Sequence, residues 1–281
     1  MNIDISEEAG VRYLHFGSDW VQGAMRIARP FSLELDYTRE MMLPLLLRPD
    51  DWPQRVLLIG LGAGSLCKFL WRYRPEAKLT VVEIEPRVEA AARQFFKLPD
   101  DPQRIRIHFA DGADFMIQSK QRYDLILVDG FDSNARAGRL DSLPFYLDCK
   151  ARLAKEGLLC VNLLSRRKNF HHNIKQIKTA FDDQVISFPS RDEGNAIAVA
   201  SLVTDFNTIP LGVFPKTALH FLQSDSKLHG VSPAPSNSGL KTFSELQAAA
   251  QNLRQSTHLN LLPMLANLAA SGHLKDGILQ L

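Results

Sequence analysis

Arg55-Val56-Leu57-Leu58-Ile59-Gly60-Leu61-Gly62-Ala63-Gly64 decides the fold: four apolar residues end abruptly in a glycine-rich turn. An unbroken apolar run suits a strand buried on both faces. Helical spacing follows over Ser65–Tyr73, then a strand at Leu79–Val82, Glu83, and a helix opened by Pro86, a residue suited to a first helical turn. The alternation continues. Strand Ile105–Phe109 leads to Asp111-Gly112 and a short helix; strand Leu125–Val128 leads to Asp129 and a loop; a helix near Leu143–Leu153 precedes strand Leu158–Leu163. A helix around His172–Phe181 comes before two closing runs, Val185–Phe188 and Ala196–Leu202, joined by a short polar connection. Strands separated by helix-length crossovers predict a mainly parallel sheet covered on both faces. The closing pair predicts an antiparallel hairpin at its end. The expected fold is therefore α/β, a class I methyltransferase-like, Rossmann-like doubly wound sheet with an antiparallel final strand.

Outward from this core, residues 1–50 read as a small β-hairpin lobe and a connecting helix over Tyr37–Leu47. The methyltransferase-like domain spans 51–204. Residues 205–281 form a linker, rich in Ser, Pro, Gly and Asn over Ser224–Lys241, followed by helices; Thr242 and Glu245 fit a capping box, and Leu259–Ala270 is apolar and helical. These helices are expected to pack on the body or on a second subunit.

The 281 residues are 45% hydrophobic and carry 33 basic against 31 acidic side chains, a net charge of +2. That balance offers neither nucleic acid nor a lipid surface a basic attraction, so neither is expected as a partner. Cys67, Cys149 and Cys160 form no CxxC pair, and the acidic N-terminus lacks the order of a signal peptide. A cytoplasmic protein with small buried thiols is expected. His171 and His172 are adjacent, not four apart, so they make no helical metal pair and no metal is expected.

In an open parallel sheet, ligands bind beyond the carboxyl ends of the strands where strand order reverses. The residues at these ends are the candidates. Gly60, Gly62 and Gly64 form GxGxG rather than the dinucleotide GxGxxG, because Ser65 takes the last glycine's place. Glu83 can accept hydrogen bonds from both hydroxyls of a ribose. Asp111 can receive an exocyclic amine, with Gly112 leaving room for the ring; both acids could instead serve neighbouring helix starts. Together they predict an adenosyl ligand without a pyrophosphate. Asp129 and Asp132, three residues apart, can attract an ammonium and take its proton, although Asp132 could instead hold an Asx-turn.

The pieces VLLIGLGAG, VVEIEPRV, ADGADF, YDLILVDGFD, PFYLDCKARLAKEGLLCVN and YTREMM, in this order over about Gln22 to Leu202, resemble the spermidine synthase (polyamine aminopropyltransferase) family. The resemblance implies transfer of an aminopropyl group from decarboxylated S-adenosylmethionine to an amine, with release of methylthioadenosine. It implies Asp129 as catalytic base and Asp132, Tyr37 and Arg39 on the acceptor. It assigns the nucleoside to Gln22, Gly60, Gly62, Gly64, Glu83, Ile84, Asp111 and Gly112, and it implies a homodimer. Three positions depart from the family pattern: Ala63 replaces an aspartate that binds a substrate amine, Arg39 a histidine, and Ser133 a proline. A guanidinium at position 39 is expected to oppose a diammonium acceptor. These departures keep two alternatives open, methyl transfer from S-adenosylmethionine itself and a non-catalytic nucleoside-binding or assembly protein.

Overall fold

A computed structural model describes residues 2–17, 20–132, 134–192, 194–202, 242–270, 274–275 and 278–279. Strand β1 (Asp4–Glu8), β2 (Val11–His15) and β3 (Val21–Arg26) form a three-stranded antiparallel sheet, one strand more than the expected hairpin. The expected helix over Tyr37–Leu47 is divided into α1 (Asp36–Glu40) and a 3-10 turn, Leu43–Leu46. Pro44 accounts for the break, since it has no N–H to donate and its ring would clash with the carbonyl of Glu40 in a continuous helix.

The central sheet follows as β4 (Arg55–Ile59), α2 (Ser65–Tyr73), β5 (Lys78–Glu83), α3 (Pro86–Phe96), β6 (Ile105–Phe109), α4 (Gly112–Gln118), β7 (Tyr123–Val128), α5 (Leu143–Arg152), β8 (Leu153–Leu164), α6 (Phe170–Ala180), β9 (Val185–Pro189) and β10 (Asn195–Ser201). Its spatial order is β6-β5-β4-β7-β8-β10-β9, with β10 antiparallel to both neighbours. Strand order reverses between β4 and β7. The register then fixes the site: Ile59 pairs with Val82 on one side and with Val128 on the other. Gly60, Glu83 and Asp129 consequently leave the sheet at one level.

Successive residues of β4 enter opposite cores: Val56 and Leu58 lie on the face shared with α2 and α3, Leu57 and Ile59 on the face covered by α4, α5 and α6. Such two-sided burial is why the strand reads as a continuous apolar run. Helix α7 (Phe243–Thr257) opens with both hydrogen bonds of the Thr242–Glu245 capping box and is followed by α8 (Leu262–Ala270). Leu246, Ala250, Leu253, Leu265 and Leu268 are buried in the first core, so these helices pack on the body. The predicted linker Ser224–Lys241 lies outside the described residues. All three cysteines are buried and unpaired, and burial pushes the Cys67 thiol up to about 12. Among the described residues, no helix is long and apolar enough to cross a membrane.

Candidate active site at the strand ends

The carboxyl ends of β4, β5, β6, β7 and β8, roofed by β3 and α1, enclose a cleft of about 770 Å³. Gly60 leaves β4 at φ +94°, and a Cβ there would lie 2.1 Å from the carbonyl oxygen of Asp129. Only glycine permits this approach. Its absent side chain therefore serves the packing of the β4 end against the β7 end, and the ligand benefits indirectly. Gly62 lines the cleft, whereas Gly64 does not: it is the N-cap of α2, its Cα facing the Leu98 side chain. Gly112 also differs from expectation. The space above it is taken by Ile59 and Leu140, 2.5 and 3.1 Å from where a Cβ would be, so the glycine admits side chains rather than leaving a slot for a ring.

Glu83 is buried, and its two oxygens take separate tasks: Oε2 accepts the Leu61 N–H at 2.9 Å and Oε1 the Glu85 N–H at 3.0 Å. Burial raises its pKa, and hydrogen bonds from the amides of Glu85, Leu61 and Ile84 offset part of that rise. An ionised carboxylate accepts about four hydrogen bonds, so Glu83 keeps acceptor capacity beyond these amides. Asp111 caps α4 through Oδ1, which accepts from Ala113 and Asp114 at 2.8 and 3.1 Å and also meets Arg139 at 3.4 Å. All of these contacts use the one oxygen. Beside them Ile84 is 70% exposed, an apolar side chain turned toward the cleft.

Asp129 follows β7 directly. Its Oδ1 accepts from Nδ2 of Asn162 at 2.9 Å and its Oδ2 from the Tyr37 hydroxyl at 3.2 Å. Burial raises the carboxyl pKa, and the hydrogen bonds from Asn162 and Tyr37 offset part of the rise. The same burial, with the charges of Asp129 and Asp192, holds the Tyr37 phenol well above its ordinary value, so it remains a donor. Helix α1 is itself anchored, because the Tyr37 N–H donates to Asp192 Oδ2 at 2.8 Å. The result is an oriented carboxylate with a raised proton affinity at the middle of the cleft, suited to general-base work.

Gln22, on β3, lines the same cleft, and Ala63 is buried with its side chain against Gly23 of that strand. Asp132 lines the cleft too, but its Oδ1 accepts the N–H groups of Asn134 and Arg136 at 2.8 and 2.9 Å. It organises the loop, as the Asx-turn alternative anticipates. Arg39 is not brought to the cleft. Its guanidinium donates to Leu33 O at 2.8 Å, Glu34 O at 2.6 Å and Asp36 Oδ1 at 2.6 Å, a local use that removes the expected opposition to a cationic acceptor. Ser133 lies outside the described residues. Asn162 was missed, its only signal being one amide inside the apolar run of β8. Arg136 and Arg167, which also line the cleft, were missed as well.

These features define a class I methyltransferase-like α/β protein whose strand-end cleft gathers Glu83, Asp111 and Asp129. In fold it is similar to human methyltransferase-like protein 13 in complex with SAH (TM-score 0.59, 21% identity, 80% of this chain and 93% of that one). It is likewise similar to a spermidine synthase in complex with the transition-state analogue AdoDATO (TM-score 0.55, 20% identity, 72% and 74%). Residues 35–188 match the model of the spermine/spermidine synthase domain. A polyamine aminopropyltransferase of Neisseria meningitidis serogroup A is 37% identical over 198 residues, 70% of this chain and 75% of that protein. The chain belongs to the spermidine synthase family.

Proposed function

We propose that this protein transfers the aminopropyl group of decarboxylated S-adenosylmethionine to an amine acceptor. The observation that carries the reading is Asp129, oriented by Asn162 and Tyr37 within the same cleft as the strand-end carboxylates Glu83 and Asp111. In this reading Glu83 accepts from the ribose with its remaining acceptor capacity and Asp111 receives the adenine amine. Ile84 covers one face of the ring, and Gln22 stands beside the thioether. An amine at pKa about 10 enters protonated at neutral pH. Asp129 takes one proton, the freed nitrogen attacks the propyl carbon beside the sulfonium, and the C–S bond breaks with its electron pair on sulfur. The products are a secondary ammonium and methylthioadenosine.

The family and its polyamine aminopropyltransferase relatives support this reaction. The proposal retains a cytoplasmic homodimer. Ala63 favours a second reading: its buried methyl brings no negative charge toward the donor's amine, so S-adenosylmethionine and methyl transfer fit there as well. The purified protein is incubated with each donor and a panel of amines. Methylthioadenosine release supports aminopropyl transfer, S-adenosylhomocysteine release supports the second reading, and neither product from any acceptor contradicts both.

A further inference from the structure

We propose that the acceptor carries a carboxylate beside its reactive amine, an amino acid rather than a simple diamine, and that Arg136 and Arg167 receive that carboxylate. The inference rests on the transfer reaction proposed above and concerns the acceptor end of the same cleft.

Sheet order separates the two ends. Glu83 and Asp111 follow β5 and β6 on one side of the switch point, Asp129 follows β7, and Arg167 comes after β8, one strand further on. The guanidinium of Arg167 reaches the loop beyond β7, where Nη2 donates to the carbonyl of Asn134 and, at 2.8 Å, to that of Ala135. Arg136 stands next to these carbonyls in the chain. Arg167 thus enters the cleft from the β8 side, away from Glu83 and Asp111, and Arg136 lines the cleft from the loop that Arg167 holds.

Their charges differ from that of Arg139, the arginine at the nucleoside end. Arg139 meets Asp114 at 2.8 Å and Asp111 at 3.4 Å, so its charge is answered within the protein. Arg167 is held by carbonyl oxygens, which fix a guanidinium without neutralising it. Among the described residues its Nε and Nη1 make no hydrogen bond, and the Arg136 side chain makes none. The N–H groups left on Arg167 Nε and Nη1 can each donate to a carboxylate oxygen, and Arg136 offers its whole guanidinium.

The carboxylates of the cleft give the complementary argument. Glu83 holds backbone amides at the nucleoside end, Asp111 caps α4, and Asp132 is oriented through Oδ1 by the Asn134 and Arg136 amides, its charge offsetting one of the two arginines. Asp129 alone among these four is held solely by side chains and aimed at the reacting position. One ammonium of a diamine finds its partner there. A second, extending toward β8, meets two guanidinium charges against the single carboxylate of Asp132 and is repelled on balance, whereas a carboxylate in that place is attracted. Ala63 supplies no charge to compensate.

The test uses acceptor pairs that differ by one carboxylate: ornithine against putrescine and lysine against cadaverine. Methylthioadenosine release from decarboxylated S-adenosylmethionine gives kcat/KM for each. The expected result is preference for the carboxylated member by about tenfold or more, with that ratio falling about ten- to hundredfold in Arg136→Gln and Arg167→Gln, mainly through KM. A wild-type preference for the diamine, or unchanged ratios in both variants, overturns the proposal. Calorimetry with the two donors separates the source of the carboxylate: variants that weaken S-adenosylmethionine but leave ornithine unaffected would assign the arginines to the donor and overturn it too. If no acceptor turns over, the reaction itself fails, and titration of ornithine and putrescine into protein loaded with methylthioadenosine still decides. Tighter ornithine supports the acceptor assignment, and equal or tighter putrescine refutes it.

Discussion

Replacing Asn162 with leucine should move the pH profile of the enzyme without unfolding it. Asn162 Nδ2 donates to Asp129 Oδ1 at 2.9 Å, and its own Oδ1 is buried without a partner among the described residues. The amide favours the ionised carboxylate, so its removal raises the proton affinity of Asp129 further. A hydrogen bond to a charged group contributes about 1.5–3 kcal/mol, and 1.4 kcal/mol corresponds to tenfold in proton affinity. The acid limb of kcat/KM should accordingly shift about one pH unit or more toward higher pH, with the largest loss of rate at the acidic end. Stability should change in the other sense or hardly at all. Leucine removes an unpartnered buried acceptor, a group that costs about 1–3 kcal/mol, while Asp129 remains open to water along the cleft. Tm should therefore not fall by more than about 2–4 °C, the equivalent of about 1 kcal/mol in a domain of this size. The assays are methylthioadenosine release from pH 5 to 10 and a thermal melt. An unmoved acid limb, or one moved toward lower pH, would refute the role given to Asn162.

Other expectations concern the supports of the site. Gly60→Ala places a Cβ 2.1 Å from the Asp129 carbonyl at φ +94°, so both Tm and nucleoside binding should drop; a melt within 2 °C of wild type would contradict the close-packing account. Glu83→Gln should weaken methylthioadenosine binding about tenfold or more in calorimetry, since ribose recognition loses its charged acceptor, and unchanged affinity would exclude Glu83 from the site. Lys68 is buried, its Nζ donating to Phe96 O at 2.7 Å, and burial lowers its pKa to about 7. The unfolded chain therefore binds a proton between pH 7 and 10 that the folded chain does not, and stability should rise with pH over that window by up to about 1.4 kcal/mol per unit. Lys68→Met should abolish this increment, read as the wild-type-minus-variant difference in unfolding free energy at pH 7 and 9; a difference independent of pH would show that the lysine stays charged.

Much of the fold was legible because burial on both faces writes itself as apolar runs. Val56–Ile59, Ile105–Phe109 and Val185–Phe188 lie within strands whose ends differ from the reading by a residue or less. The start of β8 was missed because Lys155, Glu156 and Gly157 interrupt the apolar pattern, although the strand begins at Leu153. Strand-end acids were legible for the same topological reason. What each does was less so: Asp132 and Arg39 satisfy neighbours within a few residues, a choice that depends on loop geometry rather than residue type. Asn162 reaches an aspartate 33 positions away, and Arg167 reaches loop carbonyls 32 and 33 positions away. Such pairings arise only once strands β7 and β8 lie side by side.

The central claim is that Asp129 accepts the proton of the attacking amine. Its most direct test is single-turnover release of methylthioadenosine by Asp129→Asn, with nucleoside affinity measured on the same preparation. The account predicts a rate at least about a hundredfold below wild type, in line with the usual contribution of a general base, and an unchanged affinity. Turnover close to wild type in the variant would contradict it.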